Sequence, residues 1–156
     1  APTALPPTDH AVVDLQAATT LSLSMEGGAM GRLSSAFLGG EIKPMRELVE
    51  AGYFWSFNGA VDGIDGDPFA RLDRGQNVRL KMVNDTVFPH AMHLHGMHFH
   101  EVAEDGTLGP LRDTTLLERG ETREIAFVAD NPGQWLLHCH MLSHAASGMM
   151  TKIVVG

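Results

Sequence analysis

Only one cysteine, Cys139, occurs among the 156 residues. No disulfide can close within the chain, so its compartment cannot be read from a disulfide framework, and the thiol is left to be inert, reactive or a ligand. Basic residues are scarce too: 11 Lys and Arg stand against 19 Asp and Glu, a formal net charge of -8. No basic stripe offsets that balance, so the charge disfavours phosphate-backbone binding and no nucleic-acid partner is expected. Nowhere do about eighteen apolar residues run together, so no membrane span is expected. Internal repeats are missing, and the glycine-rich patch at 27–31 is too short to be more than a loop. The opening "APTALPPTDH" lacks an initiator Met and the basic and apolar regions of a signal peptide, while its prolines favour an extended conformation. Residues 1–17 are expected to be a linker-like segment at the cut end of a longer protein.

The remaining length suits one domain, 18–156, with a real hydrophobic core. "TTLSLSM" (19–25) alternates apolar and hydroxyl residues as a half-buried strand does. "PMRELVEAG" (44–52) has Pro44 near the start and Gly52 as the stop of a short helix, expected to be the only substantial one. In "NVRLKMV", Val78, Leu80 and Met82 take one face and Asn77, Arg79 and Lys81 the other, the pattern of an antiparallel strand with one wet face. Further strands are expected at 91–103, 113–118, 122–129, 134–140 and 149–155, separated by "EDG", "ERGE" and "DNPG". Short strands at this spacing predict an all-β sandwich.

Histidine is what the chain has in unusual supply. Eight of nine fall between His90 and His144, in "HAMHLHGMHFH" (90–100) and "HCHMLSH" (138–144). A lone histidine is most often satisfied by an ordinary hydrogen bond, but spacing alters the odds here. Residues two apart on a strand share a face, so His93 and His95 point together, as do His138 and His140, and four imidazoles can line one surface. The same parity sends Cys139 to the opposite face with Trp135 and Leu137, into the interior or its rim. One short strand can thus serve two metal sites. Two His, one Cys and a weak axial Met form the pattern of blue-copper electron transfer, and His90, Cys139, His144 and Met149 supply that set. A structural zinc site would more typically bring a second cysteine and would leave the two His-x-His pairs unexplained; a catalytic mononuclear zinc site stays open.

Other residues carry plainer readings. His98 and His100 share the face of His93 and His95 if the strand runs straight, but a bulge at Gly96 would redirect them, and they are expected near the site rather than in it. His10 is read as incidental. Most of the nine methionines are read as flexible core filling. Trp135 is read as core, and Trp55 as core or domain interface equally.

"HAMHLHG" followed by "DNPGQWLLHCHMLSHAASGMM" resembles the C-terminal copper domain of multicopper oxidases, the laccase and bacterial copper-efflux oxidase family, over most of the chain from about Phe54. The resemblance implies a cupredoxin-like Greek-key β-sandwich with one or two short helices. It also implies a type 1 copper on His90, Cys139, His144 and Met149, a type 2 copper on His93, and a type 3 pair on His95, His138 and His140. In such proteins the type 1 copper takes single electrons from a small-molecule or metal-ion reductant, and the trinuclear cluster uses four to reduce dioxygen to water. Cys139, with His138 and His140 beside it, would be the electron path. Copper is the implied cofactor, and a periplasmic or secreted location the implied one. Because only half of the cluster's ligands are present, the implied partner is a second cupredoxin domain of a parent chain or a second copy of this chain.

Two residues depart from the family pattern. Ala91 stands where many relatives have proline after the first ligand, and Ala145 where many bacterial relatives carry a glutamate thought to help deliver protons. Asp113 is an acid near the motifs in sequence that spacing alone cannot place. Competing readings are a stand-alone blue-copper electron carrier without oxygen reduction, and a copper-storage module without redox turnover. The pairs His93/His95 and His138/His140 argue against the carrier, which has no need of them.

Overall fold

The computed structural model describes residue 3 and residues 10–156. In chain order the elements are β1 (Thr19–Gly27), β2 (Ser35–Leu38), β3 (Glu41–Pro44), α1 (Met45–Glu50), β4 (Trp55–Phe57), β5 (Ala70–Leu72), β6 (Asn77–Asp85), β7 (His90–Leu94), β8 (Phe99–Val102), β9 (Leu108–Arg112), β10 (Thr114–Leu117), β11 (Thr122–Val128), β12 (Gly133–Cys139), α2 (Leu142–Ala146) and β13 (Met150–Val155). One main sheet has the order β4-β1-β6-β11-β8-β9 and the other β10-β7-β12-β13-β5, with β2 and β3 as a separate hairpin. The two main sheets form a sandwich, and period-two patterning fills the space between them. Val78, Leu80 and Met82 of β6, Ile125 and Phe127 of β11, and Leu137 and Cys139 of β12 all point into one buried cluster.

Two strand expectations need correction. β6 is antiparallel to β11 but parallel to β1, because the chain crosses over through residues 28–76 before returning beside β1. The expected strand 91–103 is really two, with β7 in the second sheet and β8 in the first. Gly96 makes the corner at φ 75°, and a Cβ there would stand 2.0 Å from the Trp135 ring, so only glycine fits. His98 and His100 therefore leave the face that carries His93 and His95.

The helix expected at 44–52 is α1, stopped as anticipated by Gly52 at φ 88°. A second short helix, α2, follows the "HCH" stretch. Of the linker-like segment 1–17, residues 1, 2 and 4–9 lie outside the described residues. Residues 10–18 have no helix or strand, and the Asp14 backbone N–H donates to the Asn77 side chain at 2.8 Å, tying this stretch to the start of β6.

Candidate metal centre

Strands β7 and β12 are neighbours, and their register pairs His93 with His138 and Met92 with Cys139. This pairing brings the two histidine motifs together. On the inner side, the Nδ1 atoms of His90 and His144 are 3.2 Å apart, and each is 3.8 Å from Sγ of Cys139. His144 reaches that position because α2 turns the chain back immediately after β12. The centre of the triangle is about 2.1 Å from each corner, close to the ~2.0–2.3 Å of metal–imidazole and metal–thiolate bonds. Cys139 and His90 are fully buried.

The surroundings hold this triangle ready. Thr86 Oγ1 lies 2.8 Å from His90 Nε2, and its single proton is directed toward Asn84 Oδ1 or the Phe88 carbonyl. His90 Nε2–H is thus the donor to Thr86, and Nδ1 keeps its lone pair for the triangle. The Met149 carbonyl accepts the Cys139 N–H at 3.0 Å, and the Met149 N–H donates to the His144 carbonyl at 3.0 Å. Met149 is fully buried in the same cluster as Cys139. Trp55 covers both imidazoles, its ring centroid 4.9 Å from that of His90 and 4.7 Å from that of His144. Burial, reinforced by His144, pushes the His90 pKa down to about 4, and burial also lowers that of His144. Both imidazoles stay neutral at physiological pH, as ligands must be. Burial raises the Cys139 thiol, which a soft metal ion would reverse by binding the thiolate.

On the outer side, ligand nitrogens of His93, His95 and His138 lie within 4.8 Å of one another. His95 Nε2 and His138 Nε2 are 2.9 Å apart. His138 Nδ1–H donates to the Cys139 carbonyl at 2.9 Å, and His93 Nδ1–H to the Asp113 carbonyl at 2.9 Å. Carbonyl oxygens only accept, so in both rings Nε2 is the nitrogen left to bind an ion. His140 shares the face, its ring 5.4 Å from that of His93 and 6.2 Å from that of His138, but it stands outside the tight group of three. Burial lowers the pKa of His95 and His138, with the neighbouring imidazoles adding to it. Two nitrogen-rich donor groups, one of them with a cysteine sulfur that would bind as thiolate, suit copper well.

Residues 42–156 match the family model for multicopper oxidases. The chain belongs to the multicopper oxidase family. It is 36% identical over 103 residues to the multicopper oxidase MmcO of Mycobacterium tuberculosis, a match spanning 66% of this chain and 20% of that protein. Over 103 residues it is 37% identical to copper resistance protein A of Pseudomonas syringae pv. tomato, spanning 66% of this chain and 17% of the relative. A solved multicopper oxidase from Pseudomonas thermotolerans superimposes with a TM-score of 0.73 at 31% identity, over 97% of this chain and 33% of that one. A second solved structure, from a marine microbial metagenome, gives a TM-score of 0.64 at 39% identity, over 98% and 30%. The fold is cupredoxin-like, and this multicopper oxidase domain spans a fifth or less of those curated relatives.

Every histidine singled out for the two donor groups lies at one of them in this multicopper oxidase domain, with His140 at the rim of its group. Asp113, unplaceable from spacing, proves to sit beside His93, its carboxylate 4.0 Å from Nδ1. Trp135 is only partly buried and packs against the core instead of within it. Sequence reasoning missed Asn84 and Thr86. Their signal was the stretch "NDT" just before the first motif, where Asn84 Oδ1 accepts the Thr86 N–H at 3.1 Å in an Asx turn.

Proposed function

We propose that His90, Cys139, His144 and Met149 hold a type 1 copper, that His93 serves a type 2 copper, and that His95, His138 and His140 serve a type 3 pair in a laccase-like oxidase. Bound copper would supply one-electron chemistry, taking electrons from a small-molecule or metal-ion reductant at the inner site and passing them to dioxygen, which is reduced to water, at the outer one. The observation that carries this reading is the position of Cys139: its sulfur belongs to the buried triangle, while its chain neighbours His138 and His140 are on the outer face. Cys139 thus joins the two sites covalently, and its carbonyl gives a second connection through the 2.9 Å hydrogen bond from His138 Nδ1. Thr86 and Asn84 fix the His90 tautomer, and Trp55 keeps water from the inner pair. Asp113 and Thr114 orient His93.

The outer group is half of a trinuclear ligand set, and His140 is exposed while His93 and His95 are half-buried. Exposed Leu116 pairs with Ala91 in the strand next to His93. We assign this face to a second cupredoxin domain of a longer chain, in keeping with the one-third coverage of the solved relative. A periplasmic or secreted location goes with this reading. The test is copper counting with sedimentation and oxygen-uptake assays. The chain alone should hold one copper in a blue site and consume no oxygen, and addition of the partner domain should bring the cluster and activity. A dimer of this chain holding a shared cluster would replace the partner-domain assignment, and a colourless copper complex would sink the type 1 reading.

A further inference from the structure

Six of the nine histidines belong to the two donor groups and their rim. The other three, His10, His98 and His100, all line one cleft of about 710 Å³ on the opposite side of Gly96. His10 is 88 residues from His98 in sequence, so chain proximity does not explain the gathering. His98, just before β8, and His100, within it, flank the fully buried Phe99; His98 is exposed and His100 half-buried. His100 Nδ1–H donates to the Gly109 carbonyl at 2.7 Å, which sets the tautomer that leaves Nε2 as the lone-pair nitrogen. The His10 and His100 ring centroids are 6.4 Å apart, against about 5–6 Å for two imidazoles on one ion with metal–nitrogen bonds of ~2.0–2.1 Å. Asp130 and Arg74 line the same cleft.

We propose that His10, His98 and His100 form a further metal site, separate from both copper groups, for an exchangeable divalent ion of the copper, nickel and zinc class. The ligands are imidazoles with no thiolate, which suits these ions and disfavours calcium and magnesium. His10 and His98 are exposed and must turn inward to close on the ion, so part of the binding energy goes into ordering them. The site is therefore weaker than the preformed inner triangle, and its ion exchanges with solution. It rests on the copper reading only in that six histidines are otherwise engaged.

Nickel(II) is the probe of choice, because it binds imidazole but ranks below copper(II) in affinity and leaves the copper of the inner site in place. The outer imidazole group, unfilled in the chain alone, takes up nickel alike in every variant, so the new site is read as a difference between variants. Copper content and the visible spectrum are recorded first, so a failure of the copper reading shows there, before any nickel is added. Calorimetric titration should then find one more nickel ion per chain in the wild type than in the variant carrying both His98→Ala and His100→Ala. His98→Ala, a change at an exposed ring, should weaken binding at least ~10-fold, and His98→Ala with His100→Ala should abolish it while the visible spectrum holds. His10→Ala should also weaken it at least ~10-fold. Equal nickel stoichiometry and affinity in the wild type and the double variant overturns the site. Unchanged affinity in His10→Ala overturns the three-histidine assignment.

Discussion

Thr86 hydroxyl oxygen and His90 Nε2 stand 2.8 Å apart inside the sandwich, and this contact decides which nitrogen of His90 faces Cys139. Thr86→Val keeps the shape and removes the acceptor. The imidazole then loses its fixed tautomer, and the expected result is about a 10- to 100-fold loss in copper affinity at the inner site. Competition against a chelator of known affinity checks this. Unfolding of the metal-free chain should also become easier by about 1–3 kcal/mol, since a buried N–H loses its partner. Unchanged copper affinity would remove Thr86 from the site.

Cys139→Ser should leave a folded chain with no intense visible band, because a hydroxyl does not replace a thiolate as a soft ligand. Met149→Leu should keep copper bound and raise the reduction potential, since the three stronger donors remain and only a weak axial group is lost. Spectropotentiometry reads both. A band that survives in Cys139→Ser, or a lower potential in Met149→Leu, would refute the respective role.

The outer group, and the opposite placing of Cys139, were legible because strand parity is local: His93, His95, His138 and His140 fall on one face and Cys139 on the other wherever the strands pair. His144, by contrast, reaches the inner group through α2 and was legible only from the two-His, Cys, Met pattern. The sheet to which each strand belongs was not legible. "HAMHLHGMHFHEV" alternates without a break, and only the Trp135 ring against Gly96 turns the chain from β7 into the other sheet. That ring arrives from 39 residues away, so no local pattern announces it. His10 was likewise unremarkable in sequence, because its neighbours His98 and His100 are reached only through the tertiary fold. The parallel pairing of β1 with β6 depends on a crossover whose route through β2–β5 has weak periodicity.

Glu101 supplies a pH dependence away from the metal ligands. Burial would raise its pKa, but the Thr115 hydroxyl and the Arg123 guanidinium, 2.9 Å from its carboxylate, outweigh that and hold it below the usual carboxylate range, with Arg112 adding to the effect. A depressed folded-state pKa means stability that is full above the unfolded value of ~4.3 and is lost as pH falls through the folded value. Glu101→Gln should therefore lower stability at neutral pH and flatten its decline below about pH 4.3. Urea unfolding from pH 7 down to about pH 3 measures both. A parallel decline in the two proteins would contradict the role.

Trp55 is held over the inner imidazoles by glycines that leave no room for a side chain. A Cβ on Gly148 would stand 2.1 Å from the Trp55 carbonyl oxygen, and φ there is 119°. Gly148 comes just after Ser147, the C-cap of α2, so any shift that relieves the clash also moves the helix that carries His144. Gly148→Ala should cost about 3 kcal/mol or more of stability, combining backbone strain with overpacking. Gly39→Ala is the matched control, with φ 62° and nothing within 4 Å of the new Cβ. It carries only the left-handed backbone penalty of about 1–2 kcal/mol. The two variants should also part company in copper binding: Gly148→Ala weakens the inner site and Gly39→Ala leaves it unchanged. Equal stability loss in both would mean that the close packing of Gly148 on Trp55 contributes nothing beyond backbone conformation, and Trp55 would lose its place as the seated cover of the His90 and His144 pair.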